Sequence, residues 1–296
     1  MSEVEASKGT VCLTFDFDAV SLWISREMLT PGPISRGEFG AHAVSRILDL
    51  LDAAGVPSTW FIPGHTVETY PGKCRDVIAA GHEVALHGYL HELVSQLTPD
   101  EERRVFEKSY DILARTTGQS PRGSRTPSWD FSDSTLQIML DLGLKYDSSL
   151  MSTDYTPFYC RRGDVVSTTG PMRFGQPTEL VELPVSWSLD DYPHFEYLRT
   201  GSLVMPGLRR APEVFENFRD DIVYMVRNVI DGVVVITFHP QMIGRGHRML
   251  ALERFIGEVK NMGVEFETMA RVADRFREGR AYGRSPAKRK PGDLTT

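Results

Sequence analysis

Hydrophobic positions along the chain alternate between a period of two and a period near four. Thr10–Phe15 is a short β-rich run, and Gly40–Ala54 carries helical spacing at Ala43, Ile47, Leu50 and Leu51 until Gly55 stops it. Pro57–Ile62 predicts a second strand, Ala79-Ala80-Gly81 ends a short helix, and His82–Leu86 predicts a third strand. Thr98-Pro99-Asp100-Glu101 opens a long helix, with threonine as the cap and proline at the first position, running to about Thr117. Arg122–Thr126 reads as a weak fourth strand, and Ser132-Asp133-Ser134-Thr135 starts a helix closed by Gly143. Strands five to seven fall at Leu144–Ser148, Glu179–Ser186 and Val233–Phe238. A helix over Arg248–Lys260, a last strand at Val264–Thr268 and a helix to about Glu278 complete the pattern.

Strand–helix alternation implies parallel strands with crossover helices. Seven or eight such units predict an α/β fold, a distorted (β/α)7–8 barrel, with a doubly wound open sheet as the alternative. Residues 10–279 form one catalytic domain in this reading, with an N-terminal arm (1–9) and a flexible basic tail (280–296). Leu22–Phe39, Ser149–Thr178 and Leu189–Pro212 read as long irregular stretches. Each follows a strand, so each projects from one end of the barrel, where long loops tend to be functional.

The 296 residues are 41% hydrophobic, ample for a large core. The net charge of −7 argues against nucleic acid or an anionic membrane as the main partner. The basic run Lys288-Arg289-Lys290 sits in a Pro/Gly-containing tail and reads as solvated. Cys12, Cys74 and Cys160 are widely separated, with no zinc-ribbon spacing and no disulfide framework. They fit a reducing compartment. The acidic N-terminus has no apolar segment, and no run of about 18 apolar residues occurs, so a cytoplasmic protein without a membrane span is expected.

Chemistry gathers just after the strands. Strand one runs into Asp16-Phe17-Asp18, strand three into His87 and His91, strand four into Arg125-Thr126-Pro127-Ser128-Trp129, strand six into Asp190-Asp191, and strand seven into His239-Pro240. In an α/β barrel that end carries the active site. On a helical turn, His87 and His91 would face one way at a separation a single metal bridges, although an isolated HxxxH is more often a surface pair. Asp16 and Asp18 face the same way in a continuing strand, and two carboxylates aimed at one point repel unless a cation sits between them. A metal on Asp18 leaves Asp16 as a base. Arg125 clamps Asp16, binds substrate, or is simply a surface arginine. His239 is either an active-site acid or a satisfied core histidine. Trp129 beside Arg125 is a candidate substrate contact, whereas Trp23 and Trp187 read as core. His42, His65, His82, His194 and His247 carry no special signal, apart from the position of His65 and His194 after strand ends.

At these residues the sequence resembles the polysaccharide deacetylase family, also called the NodB-homology or carbohydrate esterase 4 family, from about Thr10 to Phe276. Thr14-Phe15-Asp16-Phe17-Asp18 resembles the motif usually written TFDDG, whose first Asp is the base and whose second binds metal. His87–His91 resembles the metal-binding pair. Arg125-Thr126-Pro127 resembles the motif whose Arg orients the base. Ile236-Thr237-Phe238-His239-Pro240 resembles the motif carrying the general acid. Phe17 stands between the two acids, Ala19 replaces the usual glycine, and the aromatic of the third motif comes one residue late, at Trp129. These departures, with the stretch Asp147–Met151, resemble a subgroup holding a Helicobacter-type peptidoglycan deacetylase homologue and relatives of cyclic-imide and allantoin-type hydrolases. Asp190 or Asp191 is the expected partner of His239.

The resemblance implies a distorted barrel with one divalent metal, zinc by default, on Asp18, His87 and His91. It implies Asp16, His239 and Arg125 as the catalytic set. Pro127, Trp129, Asp190 and Asp191 are the expected substrate contacts, with a backbone N–H near Pro127–Trp129 as oxyanion donor. The expected activity is metal-dependent hydrolysis of a non-peptide carbon–nitrogen bond, removing acetyl from an N-acetylated sugar or related amide. Ring opening of a cyclic imide or ureide is the alternative. A non-catalytic sugar- or metal-binding barrel is the alternative of another class. Association into a homo-oligomer is open to this chain.

Overall fold

The computed structural model describes residues 9–200, 203–280 and 282–284. Of the expected arm and tail, 1–8, 281 and 285–296 lie outside the described residues. In chain order, β1 (Thr10–Asp16) leads through α1 (Ser21–Ser25) and α2 (Pro31–Ala54) to β2 (Thr59–Ile62), then through α3 (Gly64–Thr69) and α4 (Pro71–Ala79) to β3 (Glu83–Leu86). Next come α5 (Pro99–Thr117), β4 (Gly123–Ser124), α6 (Thr135–Asp141), β5 (Tyr146–Asp147), β6 (Phe158–Arg162) and β7 (Gln176–Glu182). The last third holds α7 (Asp191–Phe195), β8 (Leu198–Thr200), β9 (Leu203–Met205), α8 (Ala211–Asn228), β10 (Val229–Ile230), β11 (Val233–Phe238), α9 (Pro240–Ile243), α10 (Gly246–Lys260), β12 (Glu265–Phe266), α11 (Met269–Arg277) and β13 (Gly283–Arg284).

The main sheet runs β11-β1-β2-β3-β4-β5-β7-β6, with β12 also on β1. Its pairings are parallel except for the β6–β7 hairpin at the edge. Beyond β7 the chain crosses toward the opposite end of the sheet, where a parallel bridge joins Asp190 to Thr237 of β11. That bridge makes the curved sheet a distorted barrel and brings the Asp190-Asp191 corner beside β11.

Side-chain alternation along the strands separates two cores. Val11, Leu13 and Phe15 of β1 and Val234, Ile236 and Phe238 of β11 pack outward against the helices. Phe238 lies against Phe15, Phe215 and Phe218, so one aromatic cluster ties β1 and β11 to α8. Cys12, Phe61, Ala85, Tyr146, Val181, Val233 and Val235 fill the interior with Met269 and Val272 of α11. Gly123 is required where it stands: a Cβ there would fall 2.0 Å from the Tyr146 ring.

Three stretches that read as irregular hold regular structure. Within 22–39 lie all but the first residue of α1 and the first nine residues of α2; Pro31 and Pro33 look like breakers but occupy the first turn, where their missing N–H groups cost nothing. Within 149–178 lies β6, which pairs antiparallel. Within 189–212 lie α7 and the β8–β9 hairpin. The 18-residue α8 had no counterpart in the sequence pattern, although Val214, Phe215, Phe218, Ile222 and Met225 form a buried stripe at helical spacing. At the far end, β13 pairs antiparallel with β10. Among the described residues, no helix is long and apolar enough to cross a membrane.

Candidate metal centre and active site

Period-two alternation carries the inward face of β1 from Cys12 through Thr14 to Asp16, and Asp18 follows two residues on. The interior thus turns from apolar to acidic toward the C-terminal ends of the strands. Asp16 and Asp18 are both buried and both line a cavity of about 190 Å3 at that end. His87 and His91 reach the same cavity from the segment after β3. That segment is not the helical turn that the four-residue spacing suggested. Gly88 and His91 take positive φ angles of 66° and 62°, and the bend holds the two imidazoles 5.2 Å apart at 81°.

One ligand atom each from Asp18, His87 and His91 lie within 4.8 Å of one another. His87 Nε2 is 3.4 Å from Asp18 Oδ1, and His91 Nε2 is 3.9 Å from the same oxygen. His87 Nδ1 lies 2.8 Å from the Arg125 carbonyl, an acceptor, which fixes the proton on Nδ1 and leaves the Nε2 lone pair facing the centre. Asp18 Oδ1 and His87 Nε2 are buried with no hydrogen-bond partner, a costly state that a divalent cation would relieve. Burial pushes the His91 pKa down to about 4, with the charges of His87, Arg26 and His239 adding to the fall, so its imidazole is neutral. Burial works against ionised Asp18, yet His91, His87 and His239 hold its carboxyl well below the usual range. Burial works against a charged His87, yet Asp16 and Asp18 raise its pKa above the ordinary value, so a divalent cation would compete with a proton for Nε2. A carboxylate with two imidazoles fits a divalent metal.

Asp16 is held by Arg125, whose Nη1 donates to Asp16 Oδ1 at 2.7 Å and to Thr14 Oγ1 at 2.9 Å. The same guanidinium donates to the Ser148 carbonyl and hydroxyl, both at 3.0 Å, and lies over the Phe61 ring. Arg125 is wholly buried, so the surface-arginine reading is wrong. It also does not line the cavity, which leaves the clamp. Asp16 Oδ2 remains on the metal side, 3.8 Å from His87 Nε2.

His239 faces Asp16 and Asp18 from β11. Its Nδ1 lies 2.9 Å from Asp191 Oδ1 and 3.4 Å from Asp190 Oδ1, while Nε2 points inward, 3.8 Å from Asp18 Oδ2. Burial would lower its pKa, but Asp190, Asp191 and Asp18 outweigh it and raise the imidazole well above its ordinary value. Burial pushes the Asp190 carboxyl up to about 7.

Two expected substrate contacts are corrected. Asp191 is fully buried behind His239, so it faces the imidazole and not the cavity. Pro127 is buried away from the cavity against Gly88, and Ser128 and Trp129 line the wall in its place. Both adopt φ 53°, an uncommon backbone for non-glycine residues that turns the segment toward the metal centre. Trp129 and Asp190 line the cavity. His65 instead bonds Ser21, and His194 the Ser188 carbonyl.

Several lining residues escaped the sequence pattern. Trp187, which reads as core in the sequence, is instead exposed and lines the cavity, its ring tilted 36° against Trp129 with centroids 4.2 Å apart; Leu22, Arg26, Tyr192 and Met205 also line the rim. Gln241 Nε2 reaches Asp18 Oδ2 at 3.5 Å, and the Thr66 hydroxyl donates to the Asp18 carbonyl at 2.7 Å. The position of Gln241 two residues after His239 was the available signal; the rim residues left none.

Comparison with known proteins agrees with this geometry. The family model described as polysaccharide deacetylase matches residues 3–146. The chain is 34% identical over 285 residues to the peptidoglycan deacetylase of Helicobacter pylori, covering 92% of this chain and 97% of that protein. A Mycobacterium smegmatis protein assigned as a polysaccharide deacetylase superposes with TM-score 0.82 at 31% identity, over 98% of this chain and 97% of that one. Puue allantoinase, 20% identical, shares the fold with TM-score 0.73 over 94% of this chain and 93% of its own. The chain belongs to the polysaccharide deacetylase family. It is a metal-dependent hydrolase of carbon–nitrogen bonds other than peptide bonds.

Proposed function

We propose that the protein removes the acetyl group from an N-acetylated sugar or related amide, with Zn2+ held by Asp18, His87 and His91. The observation that carries this reading is the pair of partnerless buried atoms, Asp18 Oδ1 and His87 Nε2, flanked by Asp16 on one side and His239 on the other. The chemistry such an ion supplies is polarisation of the amide carbonyl and acidification of water. Asp16 Oδ2 takes a proton from the attacking water, while Arg125 keeps Oδ1 occupied and the carboxylate oriented. The Trp129 N–H is given to the Thr126 carbonyl, which leaves the Ser128 N–H as the backbone donor toward the developing oxyanion. His239 Nε2 donates its proton to the leaving nitrogen, and Asp191 holds the ring by Nδ1. Water and amide become acetate and free amine.

A second reading, opening of a cyclic imide or ureide, uses the same groups. It is favoured by the cavity of about 190 Å3, smaller than the usual ~300–1,000 Å3 of ligand sites. The deciding experiment is metal analysis followed by a panel scoring acetate release, ammonia release and ring opening. Acetate from an N-acetyl sugar supports the first reading, and ring opening alone the second. No turnover of any amide by protein carrying one metal per chain would replace both with a non-catalytic binding barrel.

A further inference from the structure

Arg26 stands at the mouth of the cavity without a carboxylate to pair with. Its Nη1 donates to the Tyr192 hydroxyl at 2.7 Å, and its guanidinium lies 5.6 Å from the centroid of the same ring. A guanidinium carries five N–H donors, and this hydroxyl takes one of them. Other arginines around the site are committed. Arg125 is bound to Asp16, Arg36 to Glu196, and Arg248 to the carbonyls of Met242 and Phe195. Among the described residues, none of the ion pairs includes Arg26, and it is the one lining side chain with a permanent positive charge.

The rest of the rim sharpens what that charge can do. Trp129 and Trp187, their rings tilted 36° to one another, form an aromatic wall, and Met205 adds apolar surface. A guanidinium binds a planar anion such as a carboxylate with two parallel hydrogen bonds.

We infer that Arg26 receives a carboxylate on the substrate, so that the hydrolysed compound is a small anionic amide whose acid group sits at the rim while its carbonyl reaches the metal centre. This rests on the hydrolase reading above and narrows it.

The test uses two probes with the same metal-binding head: acetohydroxamate, which is neutral beyond that head, and succinic monohydroxamate, which adds a carboxylate. Calorimetric titration of the zinc-loaded protein gives both affinities without turnover. The succinic probe is expected to bind about tenfold tighter, the order of one charge-assisted contact. Arg26→Gln is expected to bring the ratio close to one, and because Arg26 is exposed the substitution leaves the core intact. Equal affinities in the wild type, or a preference that survives Arg26→Gln, overturn the assignment while leaving the metal-centre reading standing. Failure of both probes to bind zinc-loaded protein overturns the metal-centre reading, and the assignment with it.

Discussion

Asp191 Oδ1 accepts two hydrogen bonds from His239, one from Nδ1 at 2.9 Å and one from the backbone N–H at 3.0 Å. The double contact orients the ring and helps keep it protonated, since Asp191 is among the carboxylates that overcome the effect of burial. A general acid works in its protonated form, so the activity persists up to the pKa of His239. Asp191→Asn removes one of those charges and lowers that pKa. The alkaline limb of kcat/KM is expected to move to lower pH, with a loss of roughly 10²-fold at neutral pH. An unmoved limb would separate His239 from the protonation step.

Arg125 joins Asp16 to Ser148 across the barrel interior, and its fork geometry satisfies both at once. Lysine keeps the charge but cannot make the parallel contacts. Arg125→Lys is expected to cost about 3 kcal/mol of stability in urea titration, as for disruption of a buried pair, and to lower kcat more than it changes KM.

The partnerless atoms of Asp18 and His87 make metal binding a stability term. A metal present at ~1,000 times its Kd stabilises by about 4 kcal/mol. Addition of Zn2+ to metal-free protein should raise Tm, and a chelator should reverse the rise. Asp18→Ala should abolish the shift and the bound metal together; one metal per chain in that variant would remove Asp18 from the ligand set.

Ala19 adopts φ 47°, in the left-handed region where a Cβ is strained, and Gly37 packs against its carbonyl. Ala19→Gly is expected to stabilise the fold by about 1 kcal/mol in equilibrium unfolding. The glycine usual at this place in the family is explained by that backbone angle.

Asp147 and Glu182 are register partners on β5 and β7, and both are buried beneath Ser148 and Ser149. Burial pushes the Asp147 carboxyl from its ordinary 3.8 up to about 6, and raises Glu182 well above its usual range. A carboxyl with a raised folded pKa binds more protons in the folded chain than in the unfolded one. Its contribution therefore falls as pH rises from about 4 to about 6, and Glu182 extends the fall upward. Asp147→Asn should flatten the loss of Tm across that window. An unchanged slope would mean that other groups set it.

The amino-acid sequence by itself determined the strand ends and most of the chemistry placed on them. Period-two alternation along β1 aims Thr14, Asp16 and Asp18 inward, and apolar strands followed by polar residues mark where the barrel opens. These are local properties, set by backbone geometry within a few residues. Helix α8 is equally local: its buried stripe Val214, Phe215, Phe218, Ile222 and Met225 follows helical spacing, and Pro212 sits in its first turn.

Only the tertiary structure decided which partners those residues take. Arg125 meets Asp16 across 109 positions, and Asp191 meets His239 across 48. The choice of Asp191 over its neighbour follows from the bridge between Asp190 and Thr237, which turns one carboxylate behind the imidazole and the other toward the cavity. The rim formed by Arg26, Trp187, Tyr192 and Met205 comes from segments without a common sequence period. Such contacts depend on how the sheet curls and where its crossings return, and no short window of sequence encodes that.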